Sequence, residues 1–132
     1  MESLLGNRTR RADLTFYRSG RINITSRIAK ALGLRDGDVI DIGYERGEYY
    51  LYCAAKADTL VGRHEAQCHS THKGRLHPSN NLCCHSKRIT DAMLKVCRAG
   101  ECARIWAGEF CELGRLGKAV VIIPASNSLI NP

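Results

Sequence analysis

Between Gly20 and Ile40 the hydrophobic period changes twice, and that leaves few folds open. Arg21-Ile22-Asn23-Ile24 alternates polar and apolar residues, the pattern of a half-buried strand. Thr25 or Ser26 then offers a side-chain oxygen to the free N–H groups of a helix start. Ile28, Ala31 and Leu32 follow at i, i+3 and i+4, one face of a short helix. Gly33 stands where a helix ends in a left-handed residue. Asp36-Gly37 supplies a tight turn, and Val39, Ile40 and Ile42 begin an apolar strand. Residues 49–53 read as its hairpin partner across Glu45-Arg46-Gly47. A strand, one short helix and a hairpin therefore come within about forty residues, too little for a core of their own.

A weaker echo follows. Residues 73–77 resemble residues 19–23, and Ile89, Ala92, Met93 and Val96 give a second helical face. Ala99-Gly100-Glu101 echoes the Asp36-Gly37-Asp38 turn. Cys102 to Trp106 and Ala119 to Ile123 read as further strands, the last ended by Pro124. Trp106 is expected in the core, and Gly114 to Lys118 reads as a hairpin turn. Charge follows the same division. Residues 1–35 carry eight Lys/Arg and two acids, residues 36–55 one and five, residues 56–98 eight and three, and residues 99–132 three of each. The net values are +6, −4, +5 and 0, so each copy opens basic and closes acidic or neutral.

Gly20-Arg21-Ile22, Leu32-Gly33-Leu34 and Gly37-Asp38-Val39 together resemble the AbrB, MazE and SpoVT-type transcription regulators. The likeness spans residues 14–53, with the divergent copy at 73–123, and Thr25 stands where that family has proline. It implies a mainly β fold with short helices, a swapped-hairpin (cradle-loop) barrel. Two half-barrel repeats in one chain would close such a barrel without a partner. The expected organisation is a basic arm over 1–12, a barrel domain over 13–124 and a tail over 125–132. Within the barrel, half-barrels 13–55 and 73–124 flank a linker at 56–72.

The resemblance further implies double-stranded DNA as partner, in a transcriptional regulator or antitoxin-like autoregulator. Its DNA-facing side is the opening strand and helix start. In this chain that places Arg18, Arg21 and Arg27 in copy one and Lys73, Arg75, Lys87 and Arg88 in copy two at the interface. Phosphate contacts would supply most of the affinity, with an Arg fork or two on guanine edges. The alternative is a protein-interaction module on the same barrel, through self-association or a protein partner.

Residues 64–85 hold all five histidines and three cysteines, and they carry a second alternative. His64, Cys68 and His72 recur every four residues, and Cys83 would complete a four-ligand zinc site in a zinc-stabilised binding domain. No Cys-x-x-Cys and no standard finger spacing accompanies them, and an inter-repeat linker with small, partly buried cysteines is the simpler reading. Cys53, Cys97, Cys102 and Cys111 read as packing residues.

The chain shows no paired acids, P-loop or triad spacing, so the reading is a binding protein and not an enzyme. Aromatic content of 6% disfavours a single-strand binder built on base stacking. No apolar run approaches membrane-spanning length and no signal peptide is visible, which gives a cytoplasmic expectation with reduced thiols and no membrane partner.

Overall fold

Leu14 and Phe16 are buried while Thr15 and Tyr17 are half-buried, the two-residue period of a strand with one face on a core. The computed structural model describes residues 11–71 and 81–130. They form a mainly β fold with short helices. A first set of elements comprises β1 (Leu14–Tyr17), β2 (Arg21–Ile24), α1 (Ser26–Leu32), β3 (Val39–Glu45) and β4 (Glu48–Ala55). A second set follows in the same order: β5 (His69–Ser70), β6 (Leu82–His85), α2 (Lys87–Val96), β7 (Cys102–Glu112) and β8 (Lys118–Ile123). A short α3 (Asn127–Ile130) ends the described chain.

All eight strands join one antiparallel sheet, in the order β3-β4-β8-β7-β1-β2-β6-β5. β2 and β6 pair about Asn23 and Cys83, so that Ile22 faces Cys84 and Ile24 faces Leu82. β1 of the first set lies against β7 of the second, Leu14 opposite Ile105. The residues ahead of β5 also approach the start of β3. Val39 bridges Gln67, Ile40 N–H donates to Ala66 O (3.1 Å) and Cys68 N–H donates to Asp38 O (2.7 Å). β1 of the first set thus joins the β7–β8 hairpin of the second, while the residues ahead of β5 meet the start of β3. The shared core between them holds Phe16, Ile22, Ile24, Ile28, Ile40, Leu51, Met93, Ile105 and Ile122, all essentially inaccessible.

Several expectations need adjustment. α1 turns Ile28, Ala29 and Leu32 inward, not Ala31, and α2 turns Thr90, Met93 and Leu94 inward, leaving Ala92 and Val96 outside. Both faces are rotated because the small Ala29 and Thr90, at equivalent positions, fit against the sheet. Thr90 does so because its hydroxyl is satisfied by Lys87 O (3.2 Å). Thr25 is the N-cap residue of α1, yet its hydroxyl makes no capping bond. Asn81 Oδ1 accepts from Ser26 N–H instead (2.7 Å). In α2, Ser86 caps directly, accepting from Ile89 N–H (3.2 Å). Trp106 is half-buried, since Ile105 and Ala107 take the inward positions of β7. The stretch read as a linker contributes β5 and the contact with β3, with Ala66 and Cys68 in the core. The described part of the tail packs on β7, where Ser126 Oγ accepts from Trp106 N–H (2.7 Å) and Asn127 Oδ1 from Arg104 N–H (3.0 Å).

Candidate nucleic-acid interface

The β1–β2 turn and the start of α2 meet at one end of the sheet. Gly20 makes the turn possible. Its φ is +104°, and a Cβ there would lie 2.6 Å from His85 Nε2. With Gly20 in place, His85 Nε2–H donates to Ser19 O (2.8 Å) and Ser86 N–H donates to Gly20 O (2.9 Å). Arg21 stands directly opposite His85 in the β2–β6 ladder. Lys87 Nζ donates to Arg18 O (2.8 Å) and to Asp91 Oδ1 (3.1 Å), one turn along its helix. Arg18 Nε reaches Gly100 O (3.0 Å) and Glu101 Oε1 (3.3 Å). Arg21 Nε donates to Asn23 Oδ1 (2.8 Å). Three cations from both sets therefore share one exposed end, and among the described residues Arg21 meets no carboxylate.

The other two described cations of the expected interface are placed differently. Arg27 Nη2 lies 2.9 Å from Asp13 Oδ2, and its guanidinium lies 5.8 Å from the centre of the Phe110 ring. Asp13 is buried and also accepts from Ala107 N–H (2.7 Å), so it ties α1 to β7. Arg88 pairs bidentately with Glu65, at 2.7 Å for its shortest contact. The Arg88 hydrogen bonds and that from Ser86 hold the Glu65 carboxyl down at about 2. Arg27 and Arg88 follow their N-caps by two residues, each anchoring a helix start to a carboxylate outside the strands, Asp13 just ahead of β1 and Glu65 in the turn ahead of β5. Neither Asp13 nor Glu65 is marked by the sequence pattern. Both precede their partners by more than a dozen residues, and only the sheet brings them close. Lys73 and Arg75 lie outside the described residues.

The acidic side has its own centre. Asp38 is buried, which opposes its ionisation. The N–H groups of Ala57 (2.8 Å) and Arg35 (2.9 Å) and the Lys56 ammonium (3.3 Å) outweigh that penalty and hold its carboxyl below the usual range. Between β3 and α2 runs a groove of about 440 Å³, lined by Ile42, Tyr44, Tyr49, Ile89 and Met93, with Asp41 at its side. No cysteine or histidine lines it, so it holds no thiol–imidazole pair.

Of the four residues expected to bind zinc, the three described ones, His64, Cys68 and Cys83, form no cluster of metal ligands. His64 Nε2 is 3.0 Å from Val61 O. Cys68 points into the core against Cys84, while Cys83, its neighbour in sequence, alternates to the other face opposite His69. His72 lies outside the described residues. Among the described residues no group of three or more metal-ligating side chains converges, and no helix is long and apolar enough to cross a membrane. Comparison with family models, curated proteins and solved structures finds no match to this chain.

Proposed function

We propose that the chain binds double-stranded DNA through the end formed by Arg18, Arg21 and Lys87, as a transcriptional regulator or autoregulator. The proposed framework is a swapped-hairpin barrel built by one chain from two half-barrels. The observation that carries this reading is the convergence of cations from the two sets on one end, opposite in sign to the β3–β4 hairpin with its Asp41, Glu45 and Glu48. Lysine and arginine at such an end neutralise phosphates and release counterions. Arg21, lacking a carboxylate partner among the described residues, is the side chain best placed to present its fork to a base edge. Arg27 and Arg88 support the interface from behind by fixing the helix starts. Lys73 and Arg75 join the reading through the family resemblance.

Fluorescence anisotropy with a random-sequence duplex, titrated with salt, tests it. Three phosphate contacts give a slope of log K against log salt of about −2.7, and more contacts steepen it. Absence of binding at low salt would remove the DNA reading. The groove between β3 and α2 favours a second reading, a protein-interaction module. That reading predicts a partner whose binding persists in the Arg21→Ala variant.

A further inference from the structure

The β5 edge of the sheet is narrow. β5 has two residues, pairing with β6 at His69↔Cys83 and Ser70↔Leu82. Thr71 N–H donates to Asn81 O (3.3 Å), continuing the same register. One step the other way, that register sets Cys68 opposite Cys84. Cys68 uses its backbone on the far side, where its N–H donates to Asp38 O and its C=O accepts from Gly37 N–H, both at 2.7 Å. In the ladder with β6 it therefore occupies a non-hydrogen-bonded position. There the Cα atoms of an antiparallel pair stand about 4.5 Å apart and the side chains lie closest. That separation falls within the range a disulfide spans, about 4.4–6.8 Å. Both side chains point into the core. The neighbouring Cys84 thiol and burial together push the Cys68 thiol up, so Cys68 is held protonated. Cys53 on β4 lies nearby, but its thiol is directed to Ala55 O (3.3 Å).

We propose that Cys68 and Cys84 form a reversible disulfide site, closed by a peroxide, that staples the short β5 edge to β6. A two-residue strand and one bridge make that edge a place for local opening, which admits the oxidant. The Cys84 thiolate attacks a peroxide oxygen. An S–O bond forms, the O–O bond breaks, and the departing oxygen takes the proton that the Cys84 thiol released on ionising and leaves as water. The Cys68 sulfur then attacks the sulfenic sulfur of Cys84. The S–S bond forms as the S–O bond breaks, and the Cys68 proton leaves with that oxygen as a second water. Two thiols are oxidised and one hydrogen peroxide is reduced to two waters, so the balance closes. Because Cys68 is also tied to Gly37 and Asp38, the staple also holds the turn ahead of β3.

The test uses the full chain with hydrogen peroxide at one equivalent, then alkylation, digestion without reduction and mass spectrometry. The expected result is a 68–84 linked peptide lighter by two hydrogens, lost on dithiothreitol treatment. A melting temperature about 10 °C above that of the reduced protein should accompany it, from closure of a loop of roughly fifteen residues. The Cys83→Ser variant should give the same link. Alkylated, unlinked Cys68 and Cys84 after oxidation would overturn the proposal, as would a link running instead through Cys53 or Cys83. An unchanged melting temperature in the linked protein would overturn the staple.

Discussion

Replacing Asp13 by alanine isolates the contact that ties α1 of the first set to β7 of the second. Asp13 is 4% exposed and accepts from Ala107 N–H at 2.7 Å. A charge-assisted bond of this kind contributes about 1.5–3 kcal/mol. The Arg27 ion pair adds less, because the Arg27 side chain is 49% exposed. Solvent screening leaves such a pair at about 0–1 kcal/mol. Asp13→Ala should therefore cost about 2–4 kcal/mol. For a chain of 132 residues, the usual unfolding entropy converts that loss to a fall in melting temperature of about 7–14 °C. Asp13→Asn keeps an oxygen acceptor and should lose about half as much. Thermal unfolding by circular dichroism gives each value, and an Asp13/Arg27 double-mutant cycle separates the ion pair from the backbone bond. DNA affinity supplies the independent check. Arg27→Ala should weaken DNA binding far less than Arg21→Ala, since Arg27 is engaged by Asp13. A loss below about 1 kcal/mol in Asp13→Ala would refute the anchoring role. An affinity loss in Arg27→Ala equal to that of Arg21→Ala, at unchanged stability, would return Arg27 to the DNA contacts.

Arg21→Ala is expected to flatten the salt slope of DNA binding by about 0.9, whereas Arg46→Ala, at the tip of the acidic hairpin, should leave it unchanged. Asp38 ionises below the usual range when folded, so it contributes stability above about pH 4 that is lost as pH falls through the lowered value. Denaturant titrations from pH 6 to pH 2 should therefore show a shallower acid loss for Asp38→Asn than for the parent chain, and parallel curves would contradict this. Glu65, held at about 2, acts in the same direction, its contribution lost as pH falls towards that value, and Arg88→Ala should reduce that dependence. Gly20→Ala combines an unfavourable φ with a Cβ set against His85. It should displace the β1–β2 turn and weaken DNA binding together with stability, read by anisotropy and thermal melting on one sample.

What was readable from the sequence was what local chemistry determines. The alternation of residues 21–24, the left-handed Gly33 (φ 66°) and the hairpin of β3 and β4 depend on neighbours a few residues away, and each is where the pattern places it. The rotation of the two helix faces was not readable. Ala31 and Ala29 are chemically identical, and only the position of the sheet decides which turns inward. The β5 edge was hidden for a related reason. Residues 66–70 carry no run of β-branched side chains, and their strand character comes from pairing with β3 and β6. The site divides along the same line. A basic segment is visible in composition, but whether an arginine faces a partner or a carboxylate depends on residues brought in from elsewhere. Asp13 lies 14 positions before Arg27 and Glu65 lies 23 before Arg88. The two ion pairs hold corresponding places in the two sets, each fixing a helix start to the segment ahead of its set's first strand. Arg21 and Lys87 are set apart from them by the acids they lack nearby or share only along an exposed helix face. On the proposed reading, the carboxylates that engage Arg27 and Arg88 withdraw them from direct DNA contact and make them supports of the helix starts. Removing either should alter binding through a loosened helix start, visible as faster amide exchange in α1 or α2, and not through a lost phosphate contact.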